Sequence, residues 1–174
     1  MKLIEKNLTF DFDSPLSIQY DETKYYREKF QSISDSEISA VDFITIDEKI
    51  GYLIEVKDYR HPDTKMKTYK ELMPELIKKI LSTLSATIPM KWMSDDSFER
   101  KIAHGFSKTE NLFIVIHIEL PSKISRQEMA FFRRDRLELE LRRKLSPISS
   151  DIYVVSIISN VSLPWTVKDI NATP

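Results

Sequence analysis

The sequence predicts an α/β protein in which helices flank both faces of a mixed central β-sheet. The first observation is the segment 40–60, where two apolar runs joined by a polar turn with one glycine indicate a β-hairpin. The second is a pair of later apolar runs, 111–120 and 151–158, each of which follows a long segment with a helical pattern. A hairpin followed by strands that return through helices contains both antiparallel and parallel neighbours, and its helices cover the sheet.

The two ends of the chain are predicted to be additions to this core. Residues 1–20 read as one or two short extended segments, because Leu8, Phe10 and Phe12 alternate with polar neighbours at the period of a half-buried strand. At the other end, Trp165 is expected to anchor the tail to the body of the protein. The sequence therefore predicts a single domain with three parts: an extension over 1–20, a core over 21–158 and a tail over 159–174.

A first helix is predicted over residues 22–31, before the hairpin. Asp21 offers an N-cap for it, and Tyr26 and Phe30 lie four residues apart on its apolar face. The polar segment 32–39 then connects this helix to the hairpin.

A long helical region is predicted after the hairpin, from the end of a polar segment at 58–65 to about Thr87. Its apolar residues recur at the spacing of one helical face. They are Met66, Tyr69, Met73, Leu76, Ile77, Ile80 and Leu84. Pro74 lies within this stripe, so either the helix kinks there or its main part begins near Pro74. Residues 89–108 are then predicted to be irregular, as a loop or a short helix that covers the site.

The last third of the chain contributes two strands and one helix. His117 lies among apolar residues of the first strand and is expected to be a hydrogen-bonded core residue rather than a catalyst or ligand. The helix is predicted over 122–145, and its apolar residues form two faces. One face has Ala130, Phe131, Leu137, Leu141 and Leu145, and the other has Met129, Phe132 and Leu139. The second face predicts a homodimer contact through 122–145, with crowding by the long loop as the alternative.

Composition narrows the possible functions. The chain of 174 residues has no cysteine, so disulfides and cysteine-based zinc sites are excluded. It has only two glycines, Gly51 and Gly105, and no phosphate-binding loop of the Walker type, so an ATP-driven function within this chain is not supported. With no apolar run of transmembrane length and no apolar signal core at the amino terminus, a soluble cytoplasmic protein without membrane contact is expected.

The net charge is −1, but the basic residues are unevenly placed. The segments 57–79 and 126–144 each contain seven basic and four acidic residues. Two local basic clusters beside an acidic site are a plausible footprint for a polyanion, since local clusters neutralise phosphates. The alternative is that each segment is the hydrated face of a helix.

Three ionisable residues of the hairpin form the candidate site. Because side chains alternate along a strand, Glu55 and Lys57 point to the same side, which Leu53 shares. If the pairing register also brings Asp42 to that end of the hairpin, two carboxylates and a lysine converge. Such a group can hold a divalent cation beside a reacting phosphate. The alternative is an exposed ion pair on a hydrated sheet, which contributes about 0 to 1 kcal/mol.

Asp42 together with Glu55-Val56-Lys57 resembles the motif of the PD-(D/E)xK nuclease superfamily, which includes many restriction endonucleases and repair nucleases. Where members of that group have proline before the aspartate, this chain has Val41. The order of elements around the motif is also similar to the restriction-endonuclease-like core, a three-layer α/β fold. No further motif of the group is found outside residues 42–57.

This resemblance implies a metal-dependent nuclease that hydrolyses phosphodiester bonds, with DNA favoured over RNA. Asp42 and Glu55 would bind Mg²⁺ or Mn²⁺, and the backbone carbonyl of Val56 would add a third ligand. Lys57 would position the attacking water or help to deprotonate it, and would stabilise the charge of the transition state. An acidic residue of the first helix often completes such sites, and Glu22 is preferred over Glu28 for that role.

The alternative function is a catalytically silent subunit of the same fold, which binds nucleic acid or protein. A third possibility is a protein-interaction module that uses the second apolar face of the helix over 122–145. Retention of all three of Asp42, Glu55 and Lys57 weighs against the silent subunit.

Overall fold

A computed structural model describes residues 1–33, 38–61, 64–121 and 133–171 of the chain. The strands are β1 (Lys2–Glu5), β2 (Leu8–Phe12), β3 (Ser17–Gln19), β4 (Phe43–Asp47), β5 (Ile50–Asp58), β6 (Asn111–Glu119), β7 (Asp151–Val155) and β8 (Trp165–Asp169). The described α-helices are α1 (Tyr69–Met93), α2 (Ser97–Phe106) and α3 (Arg134–Leu145). A π-helical segment, Tyr25–Phe30, and a short 3₁₀ turn, Gln31–Ile33, precede the hairpin.

Five strands form a mixed central sheet in the order β3-β4-β5-β6-β7. Pairing is antiparallel from β3 to β5, and parallel from β5 to β7. The α/β class and the mixed central sheet predicted from the sequence are thus confirmed. The hairpin prediction is confirmed as well, because β4 and β5 pair along their length with Ile44 opposite Leu53.

The described helices all pack on one face of this sheet, so the prediction of helices on both faces is wrong for this part of the chain. Buried residues of α1, α2 and α3 share one apolar cluster with Ile44, Leu53, Ile114 and Ile152. The cause is topological: β5, β6 and β7 are parallel and adjacent in sequence order, and successive right-handed crossovers in one direction leave their helices on the same side.

A second, three-stranded sheet covers the opposite face. Its order is β1-β2-β8, and both of its pairings are antiparallel. The predicted extended segment at the amino terminus is confirmed, with Leu8, Phe10 and Phe12 pointing into the core. The tail forms the third strand, and Trp165 packs on Phe12 with 5.5 Å between ring centroids. Trp165 therefore anchors the tail as expected.

Helix α1 begins at Tyr69, where Thr68 forms a capping box with Glu71. The helix includes both Pro74 and Pro89, so the alternative in which it begins near Pro74 is wrong. It continues to Met93, and α2 follows with Asp96 as its N-cap. The prediction of an irregular segment over 89–108 therefore fails, and its alternative of a short helix is met by α2.

The remaining boundaries differ in detail from the predictions. The helix expected over 22–31 is the π-helical segment Tyr25–Phe30, and the side chain of Thr23, not of Asp21, accepts from the Tyr26 N–H at 3.3 Å. In the predicted helix over 122–145, residues 122–132 lie outside the described part of the chain. Within α3, Leu139 is 66% exposed and its apolar neighbours are buried. The homodimer contact remains a prediction.

None of the helices in the described residues is long and apolar enough to cross a membrane.

Candidate functional site

The register of the hairpin brings Asp42 and Glu55 together. Phe43 pairs with Ile54, so Asp42, one position before β4, falls opposite Glu55 on β5. Both carboxylates lie on the face that α1 covers, and they are only 5% and 1% exposed. Oδ2 of Asp42 accepts a hydrogen bond of 2.5 Å from the backbone N–H of Val56. This bond ties the start of one strand to the end of the other and fixes the orientation of Asp42.

Lys57 lies beside Glu55, as strand alternation predicts. Its Nζ is 2.8 Å from Oε1 of Glu55 and 2.8 Å from Oε1 of Glu75 on α1. The side chain is 15% exposed, so its ammonium group reaches the edge of the covered face. The alternative in which these charges form an exposed surface pair is therefore wrong, because the pair is largely buried between the sheet and α1.

Lys79 of α1 is a member of this cluster that the sequence analysis missed. Its Nζ donates to Oε1 of Glu55 at 2.7 Å and lies 3.8 Å from Oδ1 of Asp42. The ammonium group thus occupies the position of a cation shared by the two carboxylates. A signal was present in the sequence: Glu75 and Lys79 are four residues apart, and each directly precedes a core residue of α1, Leu76 or Ile80.

Burial raises the pKa of Asp42 well above its usual range, and the negative charge of Glu55 raises it further. Lys79 opposes this shift only in part. Burial alone would lower the pKa of Lys57 and that of Lys79, but neighbouring carboxylates outweigh it, and both values are raised. The two lysines are therefore ammonium groups at neutral pH.

Glu75 differs from Asp42, because contacts with lysines outweigh the effect of burial on its pKa. Burial raises its pKa, but hydrogen bonds from Lys57 and Lys67 lower it to about 2. Glu75 is therefore a carboxylate throughout the physiological range, and it is a second acceptor for Lys57 in addition to Glu55.

Two further acidic residues, Glu5 and Asp21, act on the site through their charge. Each raises the pKa of Asp42, after burial and Glu55. Burial, together with Glu5, raises the pKa of Asp21 to about 7. Oδ1 of Asp21 is buried and accepts no hydrogen bond within the described chain. Neither residue is a candidate from the sequence, because Glu5 belongs to the predicted extension over 1–20 and Asp21 is predicted to be the N-cap of the first helix.

The contribution of Glu22 or Glu28 to the site stays a prediction, and each carboxylate pairs with a basic residue close to it in sequence. Glu22 forms an ion pair with Arg27, and Glu28 lies 3.8 Å from Lys24. Both carboxylates are about half exposed. Asp21, which directly precedes Glu22 and lies before the helical segment, acts on the pKa of Asp42 through its charge.

Asp58 and Arg60, which follow Lys57 closely, form ion pairs that stabilise the fold. Asp58 is fully buried and pairs with Arg60, with 2.8 Å between Oδ1 and Nε. Arg60 also reaches Asp169 of β8, with 2.6 Å between Nη1 and Oδ2. These contacts join the end of β5 to the three-stranded sheet. His117 is likewise structural, as predicted: its Nε2 is 2.9 Å from Oε1 of Glu119, and it is 1% exposed.

The carboxylate pair fits a divalent cation in its chemistry. Oε2 of Glu55 is buried and has no hydrogen-bond partner in the described chain, so an acceptor is left for a cation to satisfy. In the described part of the chain, no three side chains of Asp, Glu, His or Cys converge as cation ligands. Two carboxylates nevertheless suit Mg²⁺, because this ion commonly keeps several waters. Val56 contacts Asp42 through its N–H, and its carbonyl as a ligand remains a prediction.

Comparison with known proteins gives one distant similarity. No family model matches the chain, and no solved structure matches it. The cysteine–tRNA ligase of Neisseria meningitidis serogroup A / serotype 4A is 26% identical over 208 aligned residues, which include 95% of this chain. The chain spans 29% of the length of that ligase. The similarity thus concerns a part of the enzyme, and the case for a site at Asp42, Glu55 and Lys57 rests on geometry.

Proposed function

We propose that this protein is a metal-dependent nuclease of the PD-(D/E)xK type, which hydrolyses phosphodiester bonds of nucleic acid, with DNA favoured over RNA. One observation carries the proposal: Asp42 and Glu55 are buried side by side on one face of the hairpin, with the ammonium group of Lys57 2.8 Å from Glu55. Charges are costly to bury, so a cluster of this kind at the end of a sheet indicates a functional site.

The topology around the cluster supports the proposal. Strands β3, β4 and β5 are antiparallel neighbours, and β5 continues into a parallel pair with β6 through α1 and α2. A restriction-endonuclease-like core is similar in this order, with its acidic residues and lysine on two adjacent antiparallel strands. The second sheet on the opposite face is an addition to that arrangement.

Each residue of the cluster has a distinct task in the proposed reaction. Asp42 and Glu55 would hold Mg²⁺ or Mn²⁺, which lowers the pKa of a bound water and neutralises charge on the phosphate. Lys57 donates hydrogen bonds from a fixed position between Glu55 and Glu75, so it can orient the substrate and stabilise negative charge that develops on it. Its neighbouring carboxylates raise the pKa of Lys57, which favours a cation at this position that can stabilise negative charge on the substrate.

The experiment compares cleavage of single-stranded DNA, duplex DNA, RNA and tRNA in Mg²⁺ and in Mn²⁺. The tRNA substrate is included because the similar protein from Neisseria is a tRNA ligase. We expect Asp42→Asn and Lys57→Gln each to lower the cleavage rate by about 100-fold or more. Both substitutions keep the approximate size of the side chain, and the amide oxygen introduced by Asp42→Asn would still accept the hydrogen bond from Val56.

Asp47→Asn and Lys49→Gln are the matched controls, because both residues lie at the other end of the same hairpin. Asp47 ends β4, and Lys49 is 71% exposed in the turn. These variants are expected to cleave at the rate of the parent protein. The nuclease is ruled out if the parent protein cleaves none of the substrates. It is also ruled out if the site and control variants lose the same fraction of the cleavage rate.

One observation favours the second candidate, a silent subunit of this fold that binds nucleic acid or protein. Lys79 already lies between Asp42 and Glu55, so the chain supplies its own cation at the position proposed for the metal. Titration of Mn²⁺ followed by electron paramagnetic resonance separates the two functions. The nuclease requires binding that is lost in Asp42→Asn, whereas the silent subunit requires none.

A further inference from the structure

A lysine-rich cleft opens beside the candidate site. It has a volume of about 340 Å³ and is lined by Lys6, Lys57, Tyr59, Thr64, Lys65 and Lys67. Three separate parts of the chain contribute these residues: the turn between β1 and β2, the end of β5, and the segment before α1. Four ammonium groups from these three parts of the chain therefore surround one concave surface.

The positive charge of this cleft is only partly compensated. Glu75 binds both Lys57 and Lys67. Lys6 donates to a neutral group, Oγ1 of Thr64, at 2.7 Å. Lys6 and Lys65 are exposed, so their charges are available to a ligand. A concave surface with several cations close together attracts anions strongly, and phosphate is the anion for which lysine is a common partner.

Lys6 lies in the tight turn that joins β1 and β2. Lys6 has a φ of 53°, the left-handed conformation that favours glycine or asparagine. The tight turn between β1 and β2 requires this conformation, yet a lysine occupies the position and extends toward Thr64. The side chain of Lys6 thus extends from the three-stranded sheet to the segment before α1 and lines the cleft together with Thr64 and Lys65.

The cleft is continuous with the proposed catalytic residues, because Lys57 belongs to both. Lys57 contacts Glu55 on one side and lines the cleft with its exposed fraction. A ligand that extends from the cleft therefore reaches Lys57 first and then the carboxylates. On the other side of Lys79 a different cleft contains Asp21 and Glu22, whose acidic groups do not favour an anion.

We propose that the cleft formed by Lys6, Lys57, Lys65 and Lys67 binds the backbone phosphates of a nucleic-acid strand, next to the phosphate that lies at Lys57. The choice of a nucleic-acid strand rests on the proposed function. The binding of phosphate groups by the cleft follows from its own residues. The strand enters the site from the side of Lys57 and not from the side of Asp21.

The test measures binding without cleavage. Fluorescence anisotropy of a short labelled oligonucleotide is recorded in EDTA over a range of salt concentrations, with the parent and the double variant Lys6→Gln/Lys65→Gln. Neither residue is among the proposed catalytic groups. We expect an affinity lower by about 10-fold and a slope of log affinity against log salt smaller by about 1 to 2, because two phosphate contacts are lost.

The matched control is Lys101→Gln/Lys144→Gln, which removes the same charge from exposed positions on α2 and α3. It is expected to change the affinity by less than about 2-fold, with an unchanged salt slope. Thermal melting checks that all variants are folded. Equal losses in both double variants, or no loss in the first, overturn the proposal.

Competition with inorganic pyrophosphate and with a mononucleotide distinguishes the source of the phosphate. A strand is supported when these small anions displace the oligonucleotide only at much higher concentration. Tight, lysine-dependent binding of pyrophosphate without binding of the oligonucleotide overturns the proposal that the ligand is a nucleic-acid strand. The result is independent of catalysis. If the protein binds the oligonucleotide through these lysines but cleaves no substrate, the proposed phosphate-binding cleft is supported and the proposed nuclease activity is refuted.

Discussion

The two faces of the hairpin formed by β4 and β5 differ sharply in how they are buried. On one face, Phe43, Tyr52 and Ile54 pack with the aromatic residues of the three-stranded sheet. On the other face, apolar residues continue only part of the way, and the end beneath α1 contains Asp42 and Glu55. Both faces exclude water, but only on the apolar face does every buried side chain contribute hydrophobic stabilisation. Apolar residues of similar volume would stabilise a buried position as well as an ion pair or better, so stability does not explain the charged end.

The largest effect is expected on the apolar face. Phe10 is fully buried, with its ring centroid 5.0 Å from that of Phe43 and 5.3 Å from that of His117. Phe10→Ala leaves a cavity that these rigid rings do not fill, so the free energy of unfolding should fall by about 3 to 5 kcal/mol. Urea denaturation followed by circular dichroism measures the change.

Ile4→Ala is the control for Phe10→Ala, because Ile4 lies on the neighbouring strand and is 56% exposed. Its substitution should cost less than about 0.5 kcal/mol. A comparable loss in both variants would mean that the three-stranded sheet does not form the core of this face.

A smaller loss with a different signature is expected on the charged face. Lys79→Met removes the partner of Glu55 and Asp42 and leaves two buried carboxylates with less compensation. Breaking a buried pair costs about 3 kcal/mol. If the carboxylates bind a cation, Mn²⁺ should restore stability to this variant and raise its unfolding free energy more than that of the parent.

Lys78→Met is the matched control for Lys79→Met, because Lys78 is the adjacent lysine of α1 and is exposed. It should be neutral and insensitive to Mn²⁺. Adding Glu55→Gln to Lys79→Met should recover part of the loss, since one uncompensated charge is then removed. Strictly additive losses would show that Lys79 and Glu55 do not interact.

These two faces also show how far the sequence could predict the molecule. Alternation along β5 was sufficient to place Glu55 and Lys57 on one side, because the period of a strand is a local property. Lys79 escaped prediction because its contact with Glu55 depends on how α1 crosses the sheet. Strand β8 escaped for a similar reason: its partner, β2, is at the opposite end of the chain, and no local pattern encodes that pairing.

Helices on both faces were predicted because the element order alone does not give the side of each crossover. The described helices lie together because β5, β6 and β7 follow one another across the sheet. The apolar residues of β2 then cover the face that the helices leave open. The alternation of Leu8, Phe10 and Phe12 was visible in the sequence, but the sheet that it covers was not.

A pH-dependent effect is expected at Asp21, at the margin of the charged face. Burial and the charges of Glu5, Glu22 and Glu55 raise its pKa to about 7, and Lys79 opposes them. The folded state therefore binds more protons than the unfolded state between about pH 4 and pH 7, and the free energy of unfolding falls as the pH rises through this interval.

Asp21→Asn should remove the part of that slope that Asp21 contributes. Because Asp21 is partly accessible to solvent, the expected gain in stability at about pH 8 is on the order of 1 to 2 kcal/mol, and it should disappear below about pH 4. Urea denaturation across this pH range gives the measurement, with Asp13→Asn at an exposed position as the control. A variant whose stability follows that of the parent at every pH would show that Asp21 is not buried among these carboxylates.

The smallest effects on stability are expected at two tight turns, one in each sheet. Lys6 and Glu48 have φ values of 53° and 50°, so each holds a side chain in a conformation that glycine adopts without strain. Relief of that strain exceeds the entropic cost of glycine in the unfolded chain, and Lys6→Gly and Glu48→Gly should each stabilise the protein by roughly 0.5 kcal/mol. Their melting curves are therefore expected to be alike.

Their binding curves are expected to differ. Lys6→Gly should weaken the affinity for an oligonucleotide, while Glu48→Gly, whose turn lies at the other end of the hairpin from Lys57, should leave it unchanged. Weakened binding in a variant that has become more stable cannot be attributed to unfolding, so this pair isolates the charge of Lys6 from its role in the fold.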